Sequence, residues 1–323
     1  MKNILITGGC GYIGSTLVDV LLKYKKYNVY CIDNFENSTS EVYKSLKKKG
    51  CKIYKLDFRN FIKVKKIILK FKIDCCIHLA AIVGDPACKL EPKKSLEVNL
   101  HASKNLFEVC RNLKVKKFIF SSTCSNYGIT KNKELAKETT TLNPLSLYAK
   151  TKVNFEKYLY SNRNADIKVV ILRFATVFGL SKRMRFDLTV NQFVRDIFYK
   201  KKLYIFSENS SRPYCHVRDI SNCIILAMKL KKNFEIFNVG ESRNNFSKKQ
   251  IIEKISKYLP IKNVFFKNIK DFDRRDYKVS FDKAKKKILF KVRFSIDYGI
   301  KEIINFLKKN KKRNFYSPNF INS

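Results

Sequence analysis

The chain has 323 residues, 45% of them hydrophobic and 13% aromatic, enough to bury the core of one large or two modest domains and too apolar for a disordered segment. No stretch approaches the ~20 apolar residues that cross a bilayer, and structured sequence from Asn3 onward leaves no room for a signal peptide, so a cytoplasmic protein without a membrane partner is expected. The net charge is +41, but 54 of the 68 cations are Lys spread over every segment, the pattern of a solvated surface and not of an Arg-rich face that reads nucleic acid.

In chain order, residues 3–7 predict a buried strand, and the spacing of Tyr12, Ile13, Leu17, Val18 and Leu21 predicts a helix behind it. Between them Gly8, Gly11 and Gly14 repeat as G-x-x-G-x-x-G. Such a turn lets backbone N–H groups at a helix N-terminus approach a pyrophosphate, and its last glycine lets the helix lie close on the strand. A second strand, 28–32, ends in Asp33, placed to accept hydrogen bonds from an adenosine ribose and to repel a 2′-phosphate. Strand, glycines, helix, strand and acid in this register predict a dinucleotide site selective for NAD.

The alternation continues: a helix over 40–49, a strand over 52–56 ending in Asp57, a helix over 62–71 and a strand over 74–79 followed by Ala80 and Ala81. A long helix over 92–113 carries Asn99, and strand 117–120 runs into a Ser-Ser-Thr end at Thr123. A helix over 145–160 and a strand over 167–172 complete a doubly wound, Rossmann-type α/β pattern with a parallel sheet. Beyond it the pattern loosens. Residues 183–187 precede a helix to about 199, a strand spans 203–206, and Arg212-Pro213 is expected to break the chain. Helix 219–229 and strand 235–239 read as returns to the sheet. The expected organisation is a Rossmann domain over 1–179 with 217–243 returning to it, a discontinuous substrate domain from 180–216 and 244–308, and a mobile basic tail over 309–323. The ten cysteines, without C-x-x-C spacing, read as reduced core residues, and three histidines give no metal-ligand pattern.

Tyr148 and Lys152 form Y-x-x-x-K on one helical face. With 17 Tyr and 54 Lys, roughly three such pairs arise by chance, and four are present, starting at Tyr43, Tyr127, Tyr148 and Tyr258. Only Tyr148 follows the Ser-Ser-Thr strand end on a helix able to return past it. There Lys152 would favour the tyrosinate, so that Tyr148 can take a proton from a sugar hydroxyl while Thr123 orients the oxygen.

Together the run 7–15, Asp33-Asn34, Asp57, Ala80-Ala81, Asn99, 121–128 and Tyr148–Lys152 resembles the extended short-chain dehydrogenase/reductases, the NAD-dependent sugar-nucleotide epimerase/dehydratase family. The resemblance implies a homodimer packed through helices 92–113 and 145–160. It implies NAD contacts from Tyr12 and Ile13 at the pyrophosphate, from Asn37 and Ser38 near the adenosine, from Asp57 and Phe58 at the adenine, and from Leu79 onward along the cofactor. It also implies that Arg212 and Arg275 hold a sugar-nucleotide diphosphate, with Thr176 and Asn191 at the substrate and His216 in a structural role. Cys124-Ser125 stand where dehydratases of the family carry an acid, which disfavours dehydration. A 4-epimerase acting on a UDP- or GDP-sugar, for surface polysaccharide precursors, is the leading expectation. Net C4 oxidation or reduction of a GDP- or UDP-sugar is the alternative, since residues 173–191 also resemble GDP-heptose C4 oxidases; an RNA-binding protein on a Rossmann scaffold is the remote one.

Overall fold

The computed structural model describes residues 2–130, 134–164, 166–267 and 275–322. Its first half alternates β1 (Lys2–Thr7), α1 (Tyr12–Leu21), β2 (Tyr27–Asp33), α2 (Ser40–Lys48), β3 (Lys52–Lys55), α3 (Phe61–Lys70) and β4 (Cys75–His78). After the short α4 (Asp85–Leu90) and α5 (Pro92–Leu96) come α6 (Ala102–Asn112), β5 (Lys117–Thr123), α7 (Leu147–Ser161) and β6 (Lys168–Phe174). The remainder holds β7 (Thr176–Phe178), α8 (Thr189–Phe198), β8 (Leu203–Phe206), β9 (Ser211–His216), α9 (Val217–Lys229), β10 (Phe234–Val239), β11 (Asn245–Ser247), α10 (Lys248–Ser256), β12 (Val264–Lys267), α11 (Asp282–Ile288) and α12 (Ile296–Lys309).

Seven strands form one parallel sheet in the order β10-β6-β5-β4-β1-β2-β3. Its strands are nearly continuous apolar runs because helices cover both faces. One face packs Leu17, Val18 and Leu21 of α1 with Ile220 and Ile224 of α9; the other packs Leu106 and Phe107 of α6 with Phe155 and Leu159 of α7. The order reverses between β1 and β4, so their C-terminal ends leave a crevice there. A third apolar cluster, from α8, α10 and α12, supports the smaller β7, β9 and β11 sheet beside that crevice. No helix among the described residues is long and apolar enough to cross a membrane.

Three expectations are corrected. The helix over 92–113 is interrupted by a π-helical turn at Glu97–His101, which widens the coil at Asn99. Pro213 does not break the chain: it sits inside β9, opposite Asn245 and one residue before the ladder to β7 begins, where its missing N–H is tolerated. The tail is packed as well. Phe315 and Phe320 are buried against Phe186, the Phe320 carbonyl accepts from the Phe186 amide at 2.7 Å, and Arg183 Nη2 donates to the Ile321 carbonyl at 3.1 Å. Its basic composition suggested mobility, but three aromatics at 315, 316 and 320 give it apolar surface to bury. Phe315→Ala is therefore expected to destabilise the fold by ~3 kcal/mol, the usual cost of emptying a buried aromatic site. Chemical denaturation measures this, and a change below about 1 kcal/mol would mean the tail is not anchored.

Candidate active site

The crevice is a cavity of about 530 Å³ whose lining joins the two halves of the molecule. Along the β1–α1 turn Gly8 takes φ +71°, and a Cβ there would stand 2.8 Å from the Ala80 nitrogen. A Cβ on Gly14 would stand 2.1 Å from the Gly8 carbonyl oxygen, so α1 can start this close to β1 only without one. Gly11 is the N-cap of α1 and supplies no side-chain cap, leaving the first-turn N–H groups to a ligand. Gly8, Gly11, Tyr12, Ile13 and Gly14 all line the cavity. Tyr12 is anchored by donating its hydroxyl to the Gly179 carbonyl at 2.6 Å.

Asp33 lies at the C-terminal end of β2, almost fully buried, its carboxylate accepting from the Cys10 and Phe35 amides at 2.9 Å each. Burial raises its pKa, and those two amides oppose the rise. Asn34, Asn37, Asp57, Phe58, Leu79, Ala80 and Ala81 continue the same wall. Burial would lift the Asp57 carboxyl as well, but the Arg59 guanidinium, 2.7 Å away, outweighs it and holds the pKa below the usual range. The glycine cradle, the open helix end and the Asp33 carboxylate fit a dinucleotide.

On the far side, the C-terminal end of β5 brings Ser121, Ser122 and Thr123 to the cavity, and α7 brings Tyr148 and Lys152. Ser146 caps α7 by accepting from the Ala149 amide, so the helix starts at Leu147, one residue before Tyr148. Lys152 is buried, donates to the Ser121 carbonyl at 2.9 Å, and holds its ammonium 4.7 Å from the Phe120 ring and 5.7 Å from the Tyr148 ring. Burial lowers its pKa to about 8. Tyr148 departs from expectation: its phenol pKa is raised, first by burial and then by the charges of Cys88 and Asp85, against the opposing effect of Arg185. Lys152 is held by Ser121, and its charge does not overcome the cost of burying a phenolate.

Thr176, Arg212 and Arg275 also line the cavity. The Arg212 guanidinium stands 5.1 Å from the Tyr277 ring and donates to the Ser211 carbonyl at 2.8 Å and to that of Arg275, while Arg275 pairs with Asp85 at 2.7 Å. Arg274 lies outside the described residues.

Three expected contact residues are absent from the lining. Ser38 donates to the Cys10 carbonyl at 3.0 Å. Asn99 both donates to and accepts from the Ile82 backbone at 2.9 Å, so it shapes the loop after β4 and does not face the cavity. Asn191 is fully buried, accepting from the Gly179 amide and donating to Tyr12 Oη and the Arg185 carbonyl, which leaves nothing for a substrate. Conversely Ser125, Tyr277, Asp85, Arg185, Asp187, Ile321 and Asn322 line the cavity without having been singled out. The charged sequence Arg183-Met-Arg-Phe-Asp187 was the one available signal among them. His216 is structural: it packs on Gly179, pairs with Glu302 at 3.0 Å and caps α9 through the Arg218 amide.

A cavity built from a dinucleotide cradle on one side and a Thr-Tyr-Lys set on the other defines a nucleotide-cofactor oxidoreductase or isomerase. The family model for the NAD dependent epimerase/dehydratase family matches residues 4–240, and the chain belongs to that family. Its cofactor is accordingly NAD. The chain is 30% identical, over 96% of its length and 97% of the other's, to a UDP-glucuronate 4-epimerase of Thermodesulfobacterium geofontis. The UDP-glucose 4-epimerase of Thermotoga maritima, solved with UDP-glucose, superimposes with a TM-score of 0.86 at 28% identity, covering 96% of this chain and all of the other. That of Thermus thermophilus, solved with NAD, gives 0.84 at 25% identity, with coverages of 96% and 100%. Asp33 ends β2 and lines the cavity, where its carboxylate would disfavour a 2′-phosphate, so NADP is expected to bind about tenfold or more weakly than NAD. Calorimetry on cofactor-stripped protein measures the ratio, and tighter NADP binding would contradict the role of Asp33.

Proposed function

We propose that the protein is a nucleotide-sugar 4-epimerase: it oxidises C4 of a UDP-linked sugar and returns the hydrogen to the opposite face. The observation that carries the reading is a single cavity holding both the glycine cradle with Asp33 and the set Thr123, Tyr148 and Lys152. Bound NAD would supply the two-electron acceptor and donor for C4.

The chain's own residues do the rest. Tyr148 Oη takes the proton of the C4 hydroxyl and later gives it back. Among the chain's own charges, Arg185 opposes the burial that raises the Tyr148 pKa. Thr123 Oγ1, already accepting from the Ser125 amide at 3.1 Å, turns its hydroxyl hydrogen toward the substrate oxygen. Arg212 and Arg275 take the diphosphate by charge-assisted hydrogen bonds. Cys124 is buried and donates to the Arg173 carbonyl at 3.2 Å, so no acid stands there to eliminate water.

Purified protein incubated with UDP- and GDP-sugars should interconvert C4 epimers seen by NMR, with bound-cofactor absorbance unchanged at steady state. Accumulating NADH with a 4-keto product, relieved by an added 2-keto acid, would replace epimerisation with net oxidation. A cytoplasmic location is supported by ten buried, unbridged thiols. The proposed assembly is a homodimer through α6 and α7, whose outer row includes Lys104, Asn105, Lys150, Asn154 and Lys157. Light scattering at micromolar concentration should return twice the chain mass, and a monomer would overturn this assembly.

A further inference from the structure

The loop after β4 carries an acid that the chemistry above does not use. Asp85 follows Gly84, which turns the chain at φ +99°, and both line the cavity. One carboxylate oxygen, Oδ2, is held by Arg275 Nη1 at 2.7 Å, a contact that reaches across the cavity from the cap. The other, Oδ1, is buried and has no hydrogen-bond partner among the described residues. A buried carboxylate oxygen without a donor carries a full desolvation penalty, so the position calls for a hydroxyl or amide from a ligand. The acid lines the same cavity as Thr123 and Tyr148. A second carboxylate, Asp187, also lines the cavity and forms an ion pair with Arg185. Arg275 and Arg185, both in the cavity lining, are thus each paired with one of the chain's own acids.

From this geometry we propose that Asp85 determines sugar specificity: Oδ1 accepts a hydrogen bond from a hydroxyl of a neutral sugar, and the carboxylate repels an acidic one. The inference rests on the C4 reading for the pose of the sugar. It separates this chain by substrate class from the UDP-glucuronate 4-epimerase it resembles, through chemistry and not overall similarity. A hexuronate would bring its carboxylate toward Asp85 and Asp187, where like charges in a partly buried site disfavour binding unless one group is protonated. A hydroxymethyl sugar meets no such barrier and satisfies Oδ1.

The test uses the NAD-loaded protein with UDP-glucose and UDP-glucuronate, which differ only at C6. Dissociation constants come from calorimetry and kcat/KM from NMR-followed turnover. The neutral sugar is expected to be favoured about 30-fold or more in both quantities. Asp85→Asn keeps an acceptor oxygen but removes the charge, and should narrow the ratio to about threefold, chiefly by admitting the uronate. Asp85→Ala should raise KM for UDP-glucose about tenfold with kcat changed less, because the acceptor is lost. Cofactor occupancy and melting temperature check that the variants are folded; should either fail, the wild-type ratio alone decides. Equal affinities and rates for the two sugars, or an Asp85→Asn ratio unchanged from wild type, would overturn the proposal. Separated affinities without any C4 exchange would instead overturn the epimerase reading and leave this one in place.

Discussion

Tyr148→Phe is expected to lower turnover by about 10²-fold or more while NAD remains bound, the usual scale for removing a general acid/base. The reasoning is geometric. Tyr148 shares the cavity with Thr123 at the end of β5 and stands on α7 one helical turn before Lys152. Tyr277 also lines the cavity, but its hydroxyl lies 3.1 Å from Ser125 Oγ and its ring stacks with Arg212. The Phe variant keeps the ring beside the Lys152 ammonium, so the fold and the cofactor wall stay in place. Turnover by NMR and cofactor content by absorbance separate chemistry from binding. Near-normal kcat in the variant would remove Tyr148 from the proton transfer.

Why Tyr148 stands out in the sequence, and the buried hydrogen-bonded setting of Asn191 does not, comes down to how local the deciding forces are. Glycines at 8, 11 and 14, a strand on each side and an acid at 33 define a dinucleotide turn within one βαβ unit, so the residues that matter are neighbours in the chain. The parallel sheet was legible for the same reason: helical and strand periods alternate and their connections are short. The cap is different. Val190, Phe193, Val194 and Ile197 turn toward the core of the cap, and the loop after β7 folds back so that Gly179 and Arg185 both reach Asn191. Nothing between residues 180 and 191 announces that return. Pro213 and the tail follow the same rule. Each is decided by partners far along the chain: β11 and β7 in one case, Phe186 and Arg183 in the other. Asp85 was invisible because its partner, Arg275, lies 190 residues away and meets it only across the finished cavity.

The largest stability effect is expected one turn beyond Lys152, at Glu156. This carboxylate is buried and takes the guanidinium of Arg173 with Nη2 at 2.6 Å, the Asn126 amide at 2.9 Å and the Ser122 hydroxyl. Arg173 in turn donates to Tyr127 Oη at 2.9 Å, and that hydroxyl donates to Asn238 Oδ1 at 2.7 Å. Burial disfavours the Arg173 charge, but Glu156 more than compensates, and its pKa is raised. The network ties α7, β5, β6 and β10 together directly beneath the strand end that carries Thr123. Removing one partner leaves an uncompensated buried charge, so Glu156→Ala should destabilise by ~3–5 kcal/mol. The double replacement Glu156→Leu with Arg173→Met removes both charges and should recover most of that loss, since apolar residues of similar volume replace a buried ion pair with little penalty. Urea denaturation of the three variants with wild type completes the comparison. If the double variant is no more stable than Glu156→Ala, the charge pair is not what the single change breaks. In that case the hydrogen bonds from Ser122 and Asn126 to the carboxylate hold the β5 end, and turnover of the double variant should fall with its stability.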